Sequence, residues 1–233
     1  MDNIDFNDYI AAGYTLVKDV DRKELQDADL VPDRIISLSS CIGVQFDVMW
    51  GWNPDQYAEQ IKAFGIPETK FDEFVRWNNQ ITEQADPGHP RIFGSLRFAQ
   101  ELARNFITDY SGLHMIGIAV HRERVEAVWP RPDLGEETFN RLIAQGKPLE
   151  AGGNPLGFEV VGLDYGFECS WYCSGLENDM RELFGIRPGK YGLLQSYEDA
   201  RQVVGWIEEG DLGTRSEPYP YEAWLIVEYP LES

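Results

Sequence analysis

Hydrophobic residues along this chain switch between two spacings, and the switching alone predicts several strands and about six helices. Val44, Phe46, Val48, Trp50 and Trp52 fall on every second position, the pattern of a half-buried strand. Asn53 followed by Pro54 supplies an N-cap and a proline at the first helical position. The helix so opened carries Tyr57, Ala58, Ile61 and Phe64 and stops at Gly65-Ile66-Pro67. A helix over 68–83 and a loop over 85–90 come next, then a helix marked by Leu96, Phe98, Ala99, Leu102, Ala103 and Phe106. Residues 113–120 are apolar on both faces and predict a central strand, with 124–129 expected to pair beside it.

Further along, Asp133 is expected to cap a helix that buries Phe139, Leu142 and Ile143 and ends at Gly146. A strand over 157–163 precedes a helix holding Leu176, Met180, Leu183 and Phe184, which stops at Gly185-Ile186-Arg187-Pro188 as the earlier one stops at Gly65. Ser196 with Asp199 makes a capping box for a helix carrying Ala200, Val203, Val204 and Ile207, and 224–227 closes the pattern as a strand. Strict alternation of strand and helix is missing, so the fold class expected is α+β, with a mixed or largely antiparallel sheet flanked by about six helices. With no repeat and no low-complexity linker, one globular domain over 1–233 is expected; a looser division near 148–156 is the alternative.

At 233 residues, 43% hydrophobic and 13% aromatic, the chain can bury a sizeable core, and its composition excludes disorder. Met1-Asp2-Asn3-Ile4-Asp5 lacks the basic and apolar regions of a secretory signal, and no apolar run approaches the length of a membrane span. Three cysteines, an odd number, argue against a disulfide framework. These features make the cytoplasm the expected location.

Charge changes the picture most. Forty acidic residues face twenty basic ones, a formal net charge of -20. Residues 1–33 hold nine carboxylates against three basic residues, and 196–233 hold nine against two, so the two ends carry -13 of the total. Between 91 and 131 six arginines outnumber four acids. If the ends meet on the surface they form one acidic face, which repels nucleic acid and anionic lipid and favours a basic partner.

The chain has no glycine-rich phosphate loop, dinucleotide fingerprint, His-Glu-x-x-His, Gly-x-Ser-x-Gly or Cys-x-x-Cys. Cys169 and Cys173, four apart, would share one face of a helix, yet zinc needs three or four ligands, and Cys41, His89, His114 and His121 share no second paired spacing with them. Buried structural cysteines, no metal, no cofactor and no catalytic residue are therefore expected. An odd separation sends His114 and His121 to opposite faces of a strand, which favours structural histidines at strand ends.

Aromatic and acidic residues interleave near the C-terminal end: Tyr191, Tyr197, Trp206, Tyr219, Tyr221, Trp224 and Tyr229 among Glu198, Asp199, Glu208, Glu209, Asp211, Glu217 and Glu222. Aromatic side chains anchor protein interfaces while carboxylates steer a basic partner. The candidate partner-binding residues are Glu198, Asp199, Trp206, Glu208, Glu209, Asp211, Tyr219 and Tyr221. The run Gly157-Phe158-Glu159-Val160-Val161-Gly162, with Ser170-Trp171, Cys173, Gly175-Leu176-Glu177, Phe184-Gly185-Ile186, Tyr191-Gly192-Leu193 and Ser196-Tyr197-Glu198-Asp199-Ala200, resembles the C-terminal part of uncharacterised bacterial toxin-immunity proteins. The resemblance covers about residues 157–200 and implies a small acidic cytoplasmic protein that binds and neutralises a toxin enzyme. The expected function is thus a non-enzymatic acidic binding protein with a basic protein partner. Two alternatives stay open: an enzyme acting on an anionic small molecule through His114, His121 and the nearby arginines, and a structural or adaptor protein whose acidity keeps it soluble.

Overall fold

The computed structural model describes residues 4–21, 32–39, 42, 44–45, 58, 61–84, 92–129, 138–163, 167–209 and 220–231. Its strands are β1 (Tyr9–Lys18), β2 (Val20–Asp21), β3 (Arg34–Ile35), β4 (Val44–Gln45), β5 (Leu113–His121), β6 (Asn154–Leu163), β7 (Phe167–Ser170) and β8 (Tyr221–Tyr229). Six α-helices lie wholly within the described residues: α1 (Phe71–Gln84), α2 (Leu96–Phe106), α3 (Arg122–Val128), α4 (Thr138–Gln145), α5 (Glu177–Phe184) and α6 (Tyr197–Glu208).

Six strands form one sheet in the order β4-β1-β5-β8-β6-β7 with every neighbour antiparallel, while β2 and β3 pair separately. The fold is α+β. β5 is apolar along nearly its whole length because it lies inside the sheet with both faces covered: Leu113, Met115 and Ala119 face one core, Ile116, Ile118 and Val120 the other. The first core receives α1, α2 and α6; the second is closed by Trp129 and by Phe139 and Ile143 of α4. Register shifts between Ala11 and Gly13 and between Pro155 and Gly157 put one bulge in β1 and one in β6. Bulges sharpen the local twist, which curls the sheet around the cores.

The helix ends follow the residue chemistry. Gly65 has φ +95°, and the Ile66 N–H reaches back 3.1 Å to the Ile61 carbonyl. Gly185 has φ +71°, its N–H and that of Ile186 capping the Arg181 and Met180 carbonyls. Ser196 Oγ accepts the Asp199 N–H at 3.0 Å and opens α6.

Three expectations are corrected. Residues 124–129 do not pair beside β5, because both edges of that strand are taken by β1 and β8. Instead His121 Nδ1 accepts the Glu123 N–H at 3.3 Å and starts α3. Cys169 and Cys173 share no helix: Cys169 is buried in β7, the strand ends at Ser170, and Cys173 is exposed in the 3₁₀ turn Trp171–Ser174. Leu183 and Phe184 are not core residues, being 59% and 38% exposed at the end of α5. Of the strand read over 44–52, Val44–Gln45 is β4 and the rest lies outside the described residues, as do Asn53, Pro54, Asp133 and the loop over 85–90. Ala58 and residues 61–63 are helical. Among the described residues no helix is long and apolar enough to cross a membrane.

Candidate partner-binding surface

α6 is amphipathic, and its two faces do different things. Ala200, Val203, Val204 and Ile207 are buried against the sheet. Glu198, Gln202, Trp206 and Glu209 recur at intervals of four, four and three, so they form one outward stripe. Glu198, Gln202 and Glu209 are exposed; Trp206 is half-buried, its ring 6.4 Å from that of Phe184 in an edge-on contact.

Phe184 and its neighbour Leu183 end α5 because Gly185 turns the chain away, and the turn leaves both side chains in water. The result is an exposed apolar pair, Leu183 and Phe184, with Phe184 meeting Trp206 edge-on between two helices that also carry the exposed Glu182, Glu208 and Glu209. Arg181 of α5 stands beside Glu182 at 3.4 Å. Exposed apolar and aromatic side chains near charged ones are what transient protein interfaces are made of.

The sequence-derived site residues separate on this frame. Glu198, Asp199, Trp206, Glu208 and Glu209 all sit on α6 or its C-cap. Tyr221, in β8, is 2% exposed and belongs to the core. Asp211 and Tyr219 lie outside the described residues. Leu183 and Phe184 were missed, since their spacing from Leu176 and Met180 reads as a continued core stripe; the nearby Gly185 stop was the available signal.

Behind the stripe the basic middle segment meets the acidic end of the chain. Glu222 is 3% exposed; it accepts Arg124 Nε at 2.8 Å and the Ala223 N–H at 3.0 Å, with Arg201 Nη1 at 3.5 Å. Arg124 Nη2 also stands 3.9 Å from Glu208. Arg122 Nε donates to the Asn7 carbonyl at 3.1 Å. The guanidinium of Arg124 is thus committed inside the molecule, while Arg122 holds an exposed backbone carbonyl through Nε.

The histidines occupy separate places. His114 Nδ1 is 2.6 Å from Glu228 Oε1, and its Nε2 is 3.8 Å from Asp19, which pairs in turn with Arg34. His121 stacks on Tyr197 with ring centroids 4.4 Å apart. Seven residues of strand place the two imidazoles roughly 23 Å apart on opposite faces. Among the described residues no group of three or more His, Cys, Asp or Glu could hold a metal ion.

A second acidic concavity adjoins the N-terminal end of α6. Its cleft of about 320 Å³ is walled by Tyr9, Phe158 and Tyr197 and rimmed by Asp5, Asp8 and Glu198. Carboxylates from both ends of the chain therefore meet at one place. Burial pushes the Tyr197 phenol up to about 12 and the Tyr9 phenol higher still, so both are neutral donors at physiological pH. No protein-family model matches the chain, and no curated protein and no solved structure matches it.

Proposed function

We propose that this protein is a non-enzymatic acidic binding protein, an immunity-type inhibitor that docks a basic partner, such as a toxin enzyme, through the outer faces of α5 and α6. The observation that carries the reading is the exposed pair Leu183 and Phe184 beside Trp206, on two helices that also expose Glu182, Glu208 and Glu209. Aromatic anchors supply dissociation-limiting contact area, and the rim supplies steering and partner choice. An enzyme that grips phosphate presents a cationic cleft, and a net charge of -20 attracts such a cleft from beyond contact range while repelling nucleic acid. The protein acts in the cytoplasm as a single domain on this reading. The committed Arg124 and the separated histidines give the enzyme alternative no comparable support.

The test separates steering from anchoring. A partner captured from the native host is measured by binding kinetics at low and high salt against two variants. Glu182→Lys with Glu209→Lys is expected to slow association about tenfold or more at low salt and flatten its salt dependence. Phe184→Ser is expected to speed dissociation with association little changed. Unaltered kinetics in both variants would reject this face. Glu208 is left in place because a lysine there would stand beside Arg124.

A further inference from the structure

We infer that residues 36–39 form a pH-gated strap, held across β6 while the buried carboxyl of Glu159 is neutral and released as that carboxyl ionises. The strap follows β3 and joins no sheet. Ile36 and Leu38 pack into the second core, with Ser37 and Ser39 buried between and beside them. Its ties are therefore individual hydrogen bonds rather than a ladder.

The Ile36 N–H donates to the Tyr191 carbonyl at 3.0 Å, and the Ser39 hydroxyl donates to the Glu168 carbonyl of β7. Between these two ties a single side chain holds two consecutive residues. Glu159 accepts the Ser37 hydroxyl on Oε1 and, at 2.7 Å, the Leu38 N–H on Oε2. Ser37 Oγ accepts the Ser39 N–H at 3.0 Å, which links the far end of the strap to the same carboxyl. Ser39 Oγ also lies 3.6 Å from Cys173 Sγ in the turn that leads into α5, so release takes a contact away from that turn.

The carboxyl has no counter-charge. Its third donor is Ser170 of β7, neutral like the other two, and among the described residues no lysine, arginine or histidine pairs with it. The nearby charged and titratable groups are engaged elsewhere. In β8, Glu222 lies opposite Val161 and is taken by Arg124 and Arg201. The Tyr172 phenol, raised by burial and by the charges of Glu159 and of Glu177 in α5, donates to the Gly192 carbonyl. An ion sealed from water without an opposite charge costs more than neutral hydrogen bonds return. Burial accordingly pushes the Glu159 carboxyl from 4.5 up to about 7. Opening the strap returns water to the carboxyl and brings it back towards 4.5, so between those values the open form holds fewer protons. Opening is hence rarest below pH 4.5 and becomes more frequent as pH rises to about 7.

The test is hydrogen exchange of the whole protein at pH 5 and pH 8, with each amide's rate divided by its intrinsic rate so that only the opening equilibrium remains. The Ile36 and Leu38 amides are expected to open about tenfold or more often at pH 8, a fully solvated open carboxylate setting a ceiling of about 70-fold. At both pH values they are expected to exchange faster than Ile116 and Ile118 in β5, which is paired on both edges and reports global unfolding. Glu159→Gln, neutral at either pH and nearly the same size, is expected to open equally often at both. Carbon-13 NMR of the Glu159 carboxyl in the unaltered protein needs no variant, and its titration midpoint is expected near 7. A midpoint in the ordinary carboxylate range overturns the inference, as does a pH response that survives in Glu159→Gln. Strap exchange that ignores pH, or that matches β5 at both pH values and so reports only unfolding of the whole molecule, overturns it too. None of these outcomes touches the docking face, which rests on α5 and α6.

Discussion

Glu159 is the residue whose chemistry departs furthest from its type. It sits in β6 at 1% exposure, accepting hydrogen bonds from the Ser37 hydroxyl and, at 2.7 Å, from the Leu38 N–H. Burial pushes its carboxyl from 4.5 up to about 7, although the hydrogen bonds from Ser37, Leu38 and Ser170 pull the other way. Between those two values the native state binds a proton that the unfolded chain has lost. Stability from this group is therefore full below pH 4.5 and falls as pH rises to about 7, by roughly 3 kcal/mol in all. Denaturant unfolding at pH 5 and pH 8 should show that fall, and Glu159→Gln should remove it while matching the native protein at the lower pH. Nothing in the sequence marks this glutamate, which reads as one polar position between Phe158 and Val160. Ser37 and Leu38 lie more than a hundred residues earlier, and such separations leave no local pattern.

Elements were legible where local chemistry decides them. The span of α2, the cap at Ser196 and the stops at Gly65 and Gly185 follow from periodicity, from a serine that caps and from glycines that enter the left-handed region without steric cost. They failed where an element's fate depends on its neighbours: 124–129 has strand-like residues, but β5 offers it no open edge, and the α5 stripe continues past the point where the sheet can cover it. The cleft was illegible for the same reason, being assembled from β1, β6 and α6. The two glycine stops should also respond unequally to substitution. A Cβ at Gly185 would meet nothing within 4 Å, so Gly185→Val should cost about 1 kcal/mol of backbone strain alone. At Gly65 a Cβ would stand 2.8 Å from the Asp109 carbonyl oxygen, so Gly65→Val should lose more, read as the larger drop in denaturation midpoint.

For the whole molecule, the charge at the two chain ends is only partly neutralised by the basic middle. Arg124 and Arg201 meet Glu222, and Arg34 meets Asp19, but the net charge remains -20. Self-repulsion of that size is felt over distances that salt screens, whereas the Arg124–Glu222 contact is close and mostly buried. Raising sodium chloride from about 0.01 M to about 0.1 M, which shortens the screening length from about 30 to about 10 Å, should therefore raise the thermal midpoint. A flat or falling midpoint would mean that close ion pairs outweigh the repulsion. The strand order bears on how the protein is made. β8 is the last strand of the sheet to leave the ribosome, yet its place lies between β5 and β6. Until it arrives, the nascent chain holds two half-sheets, each with an open apolar edge, and a product cut short before Tyr221 keeps both edges for good. Such a fragment would carry α6 and its acidic stripe but would be drawn to chaperones, proteases or its own copies.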